Sequence, residues 1–304
     1  MSIETQTSAT DGLAPAGVPG RAPGEDNEFT AARHVYEPYR VGLPKLGPYL
    51  HELWRRREFA MELARTKLRS QHFGTVFGQL WLVLNPLLLG LVYFILVDIL
   101  RSGTRGAPFF ANLLAGLFAY SFVSDSIRQS ANSVVSGGAL VLNTAFPRLL
   151  LPLATVLTAF SRFIPTFIIY IPVHLITGLP VGWHDLWVLP IVAILAMVAS
   201  GMASFVAAAQ VYFRDLNQFL PYILRIWLYV SPVLYYAEEV PHKYKPILEA
   251  NPVGALLTAW SDVLNRGEAP HARDLLIGLA WGLVLLVVGA LFFMSRERDF
   301  AVRL

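Results

Sequence analysis

LWVLPIVAILAMVASGMASFVAAAQV, residues 186–211, runs for 26 positions without a charged side chain. At about 1.5 Å of rise per residue, a helix of that length exceeds the roughly 30 Å of a bilayer's hydrocarbon core. Its apolar residues follow one another without the alternation of a half-buried strand, so the stretch reads as a helix and not as part of an outer-membrane barrel. It sets the fold class: an all-α integral membrane protein. The composition of the 304-residue chain agrees, with 55% hydrophobic and 15% charged residues, a mean hydropathy of +0.51 and no cysteine. A soluble domain carries about 25% charged residues. This chain lacks the polar surface for one, which excludes a water-soluble enzyme, a disordered protein and a disulfide scaffold. The net charge of +3 and the pI near 9.2 belong at a membrane surface, not on nucleic acid.

Five further segments approach spanning length: residues 80–100, 109–123, 149–176, 219–236 and 275–294. The second is short, and the weakly polar run at 124–127 extends it. Six transmembrane helices are therefore expected. Basic residues orient them, because cytosolic loops carry the excess of Lys and Arg. With both termini cytosolic, most of the 24 Lys and Arg lie inside, leaving Arg101, Arg105, Lys243, Lys245, Arg266 and Arg273 outside and Arg162 and Arg225 within spans. Residues 1–48 are polar and interrupted by Pro and Gly, which reads as a disordered cytosolic tail and not as a cleavable signal. Residues 49–75 follow as an interface segment and 76–304 as the six-span domain. No internal repeat is visible, which argues against transporters built from duplicated halves.

The interface segment contains LHELWRRREFAMELARTKLRS, residues 50–70. On a helical projection Leu50, Leu53, Trp54, Ala60, Met61, Ala64 and Leu68 share a sector of about 120°. Arg55, Glu58, Glu62, Arg65, Thr66 and Arg69 lie opposite, Arg57 violates the pattern, and Phe59 and Leu63 sit off the stripe. Such a helix lies in the headgroup layer, either as a basic anchor or as a docking surface for a cytosolic subunit.

Charges inside spans are costly and mark structural locks or functional groups. Asp125 and Arg225 fall at similar depth, which makes an ion pair between them plausible, while Arg162 stands mid-span. Pro165 and Pro172 offer kinks in the third span. Gly74 with Gly78, and Gly278 with Gly282, are spaced for close helix packing. Aromatic residues, among them Phe118, Phe122, Phe163, Tyr222, Trp227 and Tyr229, serve either as packing and interface-belt groups or as a sliding surface for sugar rings. The apolar run PVGALLTAWSDV, residues 252–263, is too short to span and reads as an external re-entrant or interfacial helix.

Several chemistries are missing. There is no GxxxxGK[ST] phosphate loop, no HExxH, no thiolate metal ligand and no glycine-flanked serine nucleophile. No catalytic residue, metal site or bound cofactor is expected.

The order of parts resembles ABC-2 type permeases that export polysaccharides. RSQHFGTVFGQLWLVLNPLLLGLVYFIL (69–96) resembles the approach to their first span, and GALVLNTAFPRLLLPLATV (138–156) their loop between the second and third spans. VYFRDLNQFLPYILRIWLYVSPVLY (211–235) is similar to their next loop and fifth span, and ANPVGALLTAW (250–260) to their external Asn-Pro segment. The resemblance covers about residues 50–304. Two departures stand out: Asn143-Thr144 where many relatives carry a basic pair, and Gln71-His72-Phe73-Gly74 where a Tyr-Arg-Gly-Ser stretch is common.

The resemblance implies the membrane subunit of an exporter for lipid-linked O-antigen, teichoic acid or cell-wall galactan, in a bacterial plasma membrane. It implies a homodimer paired with two separate ATPase chains, which bind the ATP and Mg. Leu142, Asn143, Phe146, Pro147 and Arg148, with Arg55 and Arg56, would couple to the ATPase. Arg65, Lys67 and Arg69 would attract the pyrophosphate of a polyprenyl carrier. Phe118, Phe122, Phe163, Tyr222, Trp227 and Tyr229 would line the channel. The strong preference for Arg over Lys is that of a GC-rich genome, which favours an actinobacterial galactan exporter. An exporter of small molecules or drugs shares the plan, and a membrane-embedded transferase fits less well because the spans lack acid–base groups.

Overall fold

The structure is a computed structural model that describes residues 42–70, 80–100 and 106–303. Among the described residues every regular element is helical: α1 (Leu46–Arg55), α2 (Arg57–Ser70), α3 (Trp81–Leu100), α4 (Gly106–Ala131), α5 (Ser133–Ser136), α6 (Gly138–Asn143), α7 (Leu150–Ile176), α8 (Val188–Tyr212), α9 (Leu216–Val230), α10 (Lys245–Ala250), α11 (Gly254–Ser261), α12 (Ala272–Arg296) and α13 (Phe300–Arg303). Four helical stretches, Gly106–Ala131, Leu150–Ile176, Trp183–Tyr212 and Ala272–Arg303, are long and apolar enough to cross a membrane by themselves.

α4 is the central post. It packs on α3, α7, α8 and α11, and from Phe109 to Ile127 most of its side chains are buried on every side. A helix that is apolar all round belongs in the middle of a bundle. It outruns even the extended 109–127 because its polar residues close on themselves or on neighbours. The Ser126 hydroxyl donates to the Phe122 carbonyl at 2.7 Å, and the Ser130 hydroxyl pairs with that of Thr155 on α7. Hydroxyls satisfied this way add little cost to a helix without water around it.

The fifth predicted span comes out differently. α9 stops at Val230, and Ser231 is extended (φ −86°, ψ 146°) because it precedes Pro232, whose ring disfavours the helical conformation one residue earlier. Its 15 residues cover about 22 Å at helical rise, less than the 219–236 segment suggests. The segment after it folds back: Trp260, Leu256, Leu257, Ala259 and Val263 are all buried, and Trp260 meets Phe163 and Phe167 of α7 at 6.3 and 5.6 Å. Asn251 fastens this segment to α9, accepting from Trp227 Nε1 at 2.7 Å and donating to the Ser231 hydroxyl at 2.9 Å.

α12 reaches its neighbours through glycines. Gly278 faces Leu256 of α11 and Gly282 faces Ile194 and Met197 of α8, as the spacing predicts. The closest approach was not in that prediction: Gly289 lies against the backbone carbonyl of Gly201, and Gly201 against the backbone of Leu285. Gly74 and Gly78 lie outside the described residues. α7 continues through Pro165 and Pro172 as one helix.

Candidate functional site

At one end of the bundle the predicted interface helix is two helices. The chain breaks at Arg56 (φ −96°, ψ 18°), next to the Arg57 that violates the amphipathic pattern. The break also divides the apolar stripe. Ala60 and Ala64 are buried, with Ala60 packed on Leu150 and Ala154 at the start of α7, and the off-stripe Leu63 joins them. Phe59, also off the stripe, meets Phe146 at 5.3 Å between ring centroids. Leu50, Trp54 and Met61 stay exposed. Small residues let α2 approach α7, while Leu50, Trp54 and Met61 of the stripe face outward.

The loop between α6 and α7 has an exposed tip and an anchored base. Leu142, at 58% exposure, Asn143, Thr144 and Ala145 form the tip. Arg56 bridges to it, pairing with Glu52 at 2.5 Å and donating to the Ala145 carbonyl at 2.8 Å. Arg55 also pairs with Glu52, at 2.7 Å, and remains exposed. Phe146, Pro147 and Arg148 form the base. The Arg148 amide donates to Glu297 Oε1 at 2.6 Å, its guanidinium donates to the Glu297 carbonyl, and the Tyr49 hydroxyl donates to Glu297 Oε2 at 2.5 Å. Burial, with the Glu297 charge, pushes the Tyr49 phenol far above its ordinary value, so it stays a donor. The C-terminal turn closes the same end: Tyr212 donates to Asp299 at 3.0 Å, and Phe300 packs on Phe293 at 5.2 Å.

A second feature lies between α3, α4 and α7. A cavity of about 480 Å³ is lined by Trp81, Asn85 and Pro86 on α3, by Phe118, Phe122, Asp125 and Arg128 on α4, and by Arg162 and Phe163 on α7, among others. Asp125 pairs with Arg128 at 2.7 Å, not with Arg225. The expected ion pair fails because a partner three residues along the same helix already satisfies the carboxylate, while Arg225 sits exposed on α9. Arg162 feels both Asp125 and Arg128, and its Nε is buried without a hydrogen-bond partner among the described residues. Lys67 of α2 stands near enough to interact with Arg162, and burial with that like charge pulls its ammonium below the ordinary value. An arginine in hydrocarbon costs about 2.5–3.5 kcal/mol by insertion scales. Here two arginines, Arg128 and Arg162, stand with one carboxylate in the cavity lining.

A family model described as ABC-2 type transporter matches residues 62–264. The chain belongs to the ABC-2 type transporter family. It is similar to the O-antigen export system permease protein RfbA of Klebsiella pneumoniae, with 27% identity over 236 residues, 77% of this chain and 90% of that protein. It is equally similar to the RfbA permease of Myxococcus xanthus, at 27% over 259 residues, 83% of this chain and 97% of that one. As an ABC-2 family member it is integral to the membrane, and its apolar helices are spans of a transport protein.

In this ABC-2 chain the remaining predicted residues separate. Arg65 and Arg69 are exposed on α2, Arg65 near Glu62 at 3.7 Å, and Lys67 is half-buried within electrostatic reach of Arg162. Phe118, Phe122 and Phe163 line the cavity. Tyr222 and Tyr229 lie on the exposed face of α9, and Trp227 is held by Asn251 and by an edge contact to Tyr120 at 5.9 Å. At the opposite end Asp262, His271 and Asp274 bring ligand atoms within 4.8 Å of one another. Arg266 and His271 each approach Asp262 to 3.5 Å, so that group closes as an ion network. Both nitrogens of His174 are engaged, by Tyr170 and by the Pro180 carbonyl. Sequence reasoning missed Glu297, Asp299 and Phe300, which lie just past the last predicted span. The one available signal was two acids set among the basic residues of RERDF, 296–300.

Proposed function

We propose that this chain is the membrane permease of an ATP-driven exporter that moves a lipid-linked polysaccharide across the plasma membrane. One observation carries the reading: two O-antigen export permeases align with it over 90% and 97% of their own lengths. In this reading α3 and α9 complete six spans, both termini are cytosolic, residues 1–48 form a tail, 49–75 the interface segment and 76–304 the membrane domain. The segment around α10 and α11 re-enters from outside. Two copies pair with two ATPase chains, which hold ATP and Mg. A polyprenyl-pyrophosphate glycan is the substrate, with a cell-wall galactan the polymer favoured.

The exposed tip, Leu142 to Ala145, is the part of the coupling loop free to enter a groove on the ATPase, and Arg55 flanks it. The base at Phe146, Pro147 and Arg148, with Arg56, transmits the push to α2 and α7 through Phe59 and Glu297. Leu142→Asp buries a charge in that contact. It should reduce copurification of the partner ATPase about tenfold or more, as expected for a central apolar anchor, without changing the thermal stability of the permease. Undiminished capture of the ATPase would remove the tip from the interface.

A further inference from the structure

The cationic groups around the α3–α4–α7 cavity exceed their counter-charge. In its lining Arg128 and Arg162 stand against the single carboxylate of Asp125, which Arg128 already engages. Arg162 keeps a buried Nε without a partner. Net positive charge beside apolar walls favours an anion, and arginine's planar fork suits a phosphate oxygen pair. The aromatic walls, Trp81, Phe118, Phe122 and Phe163, give an apolar lining beside the charges against which an apolar chain can lie. A soluble anion alone would leave those walls uncovered.

We propose that this cavity is the intramembrane seat for the phosphate group of a lipid, held by Arg162 and Arg128, with Asp125 as a built-in competitor that holds Arg128 until the phosphate displaces it. The proposal rests on the export reading only for the lipid's identity, a polyprenyl diphosphate. The seat itself follows from the charges. It moves the contact from the exposed Arg65 and Arg69 to groups on α4 and α7. Asp125 acts as the competitor: it occupies the Arg128 guanidinium at 2.7 Å, and its removal frees that guanidinium for the ligand.

The test uses the full chain in nanodiscs of zwitterionic lipid, titrated with undecaprenyl diphosphate and separately with phosphatidylglycerol. Arg162→Gln should weaken diphosphate binding about tenfold, the loss of one charge-assisted hydrogen-bonded contact. Arg162→Lys should recover part of it. Asp125→Asn should tighten binding several-fold, a gain that misfolding cannot produce. Equal affinity of all three variants and the wild type would overturn the seat, and so would weakened binding by Asp125→Asn. If the variants shift phosphatidylglycerol binding as strongly as diphosphate binding, the seat stands and the polyprenyl carrier falls. A diphosphate preference lost in Arg162→Gln supports both.

Discussion

Gly289→Ala should cost the protein about 3 kcal/mol or more, and Gly289→Leu should leave little folded chain in the membrane. The reason is the crossing of α8 and α12, the most closely packed helix pair in the bundle. Any Cβ at 289 meets the carbonyl of Gly201, which is backbone and cannot rotate aside. Inserting a methyl into a packed core costs about 1–3 kcal/mol when side chains can yield, and here none can. Native stability is only about 5–15 kcal/mol, so the loss is a large share of it. Gly282→Ala is the matched control. Its Cβ would stand 3.3 Å from a side-chain methyl of Ile194 and no closer than that to any backbone atom, so a shift of a few tenths of an ångström suffices and the change should be milder. Thermal unfolding of the purified variants reads the contrast. A Gly289→Ala variant as stable as wild type would disprove the backbone contact between these helices.

The second large effect belongs to Glu297. Its carboxylate accepts from the Tyr49 hydroxyl and from the Arg148 amide, and its carbonyl accepts from the Arg148 guanidinium. Glu297→Ala strands the first two donors, and breaking such a part-buried charged network costs about 3 kcal/mol. Glu297→Gln keeps a carbonyl acceptor and should recover a good part of the loss. The functional consequence follows from the proposed coupling. With its base released, the 142–148 loop still meets the ATPase through its tip but no longer drives α2 and α7. ATP hydrolysis should therefore persist in the Glu297→Ala complex while glycan export falls at least tenfold, a drop of about 1.4 kcal/mol in coupling. Export and hydrolysis falling in parallel would assign Glu297 to folding alone.

These two sites also show what a sequence can and cannot reveal. The stretch 186–211 announces its helix because composition and length alone decide a membrane span. The end of α9 was equally legible, since Pro232 marks it, although apolar content carried the predicted span past that mark. The Arg148–Glu297 and Tyr49–Glu297 contacts were not legible. Their partners lie 149 and 248 positions apart, and nothing local distinguishes Glu297 from a solvated acid. The cavity was half legible. Asp125, Arg162 and three of its phenylalanines drew notice as charges and aromatics in spans, but depth alone was used to pair Asp125 with Arg225. Helix phase decides instead, and it gave Asp125 to Arg128 on the same face. Lys67 was grouped with Arg65 and Arg69 as a headgroup contact, although two residues of helix turn it about 160° away from both, and in the structure it alone of the three is half-buried.

The most direct test of the export reading is ATP-dependent transfer of lipid-linked glycan in inside-out vesicles that hold this chain and its partner ATPase. The account predicts that added glycolipid becomes protected from externally applied glycosidase only when ATP is supplied. It also predicts that the Arg162→Gln permease, paired with the same ATPase, loses most of that protection. Protection that appears without ATP, or none at all in vesicles whose ATPase is active and bound to the permease, would contradict it.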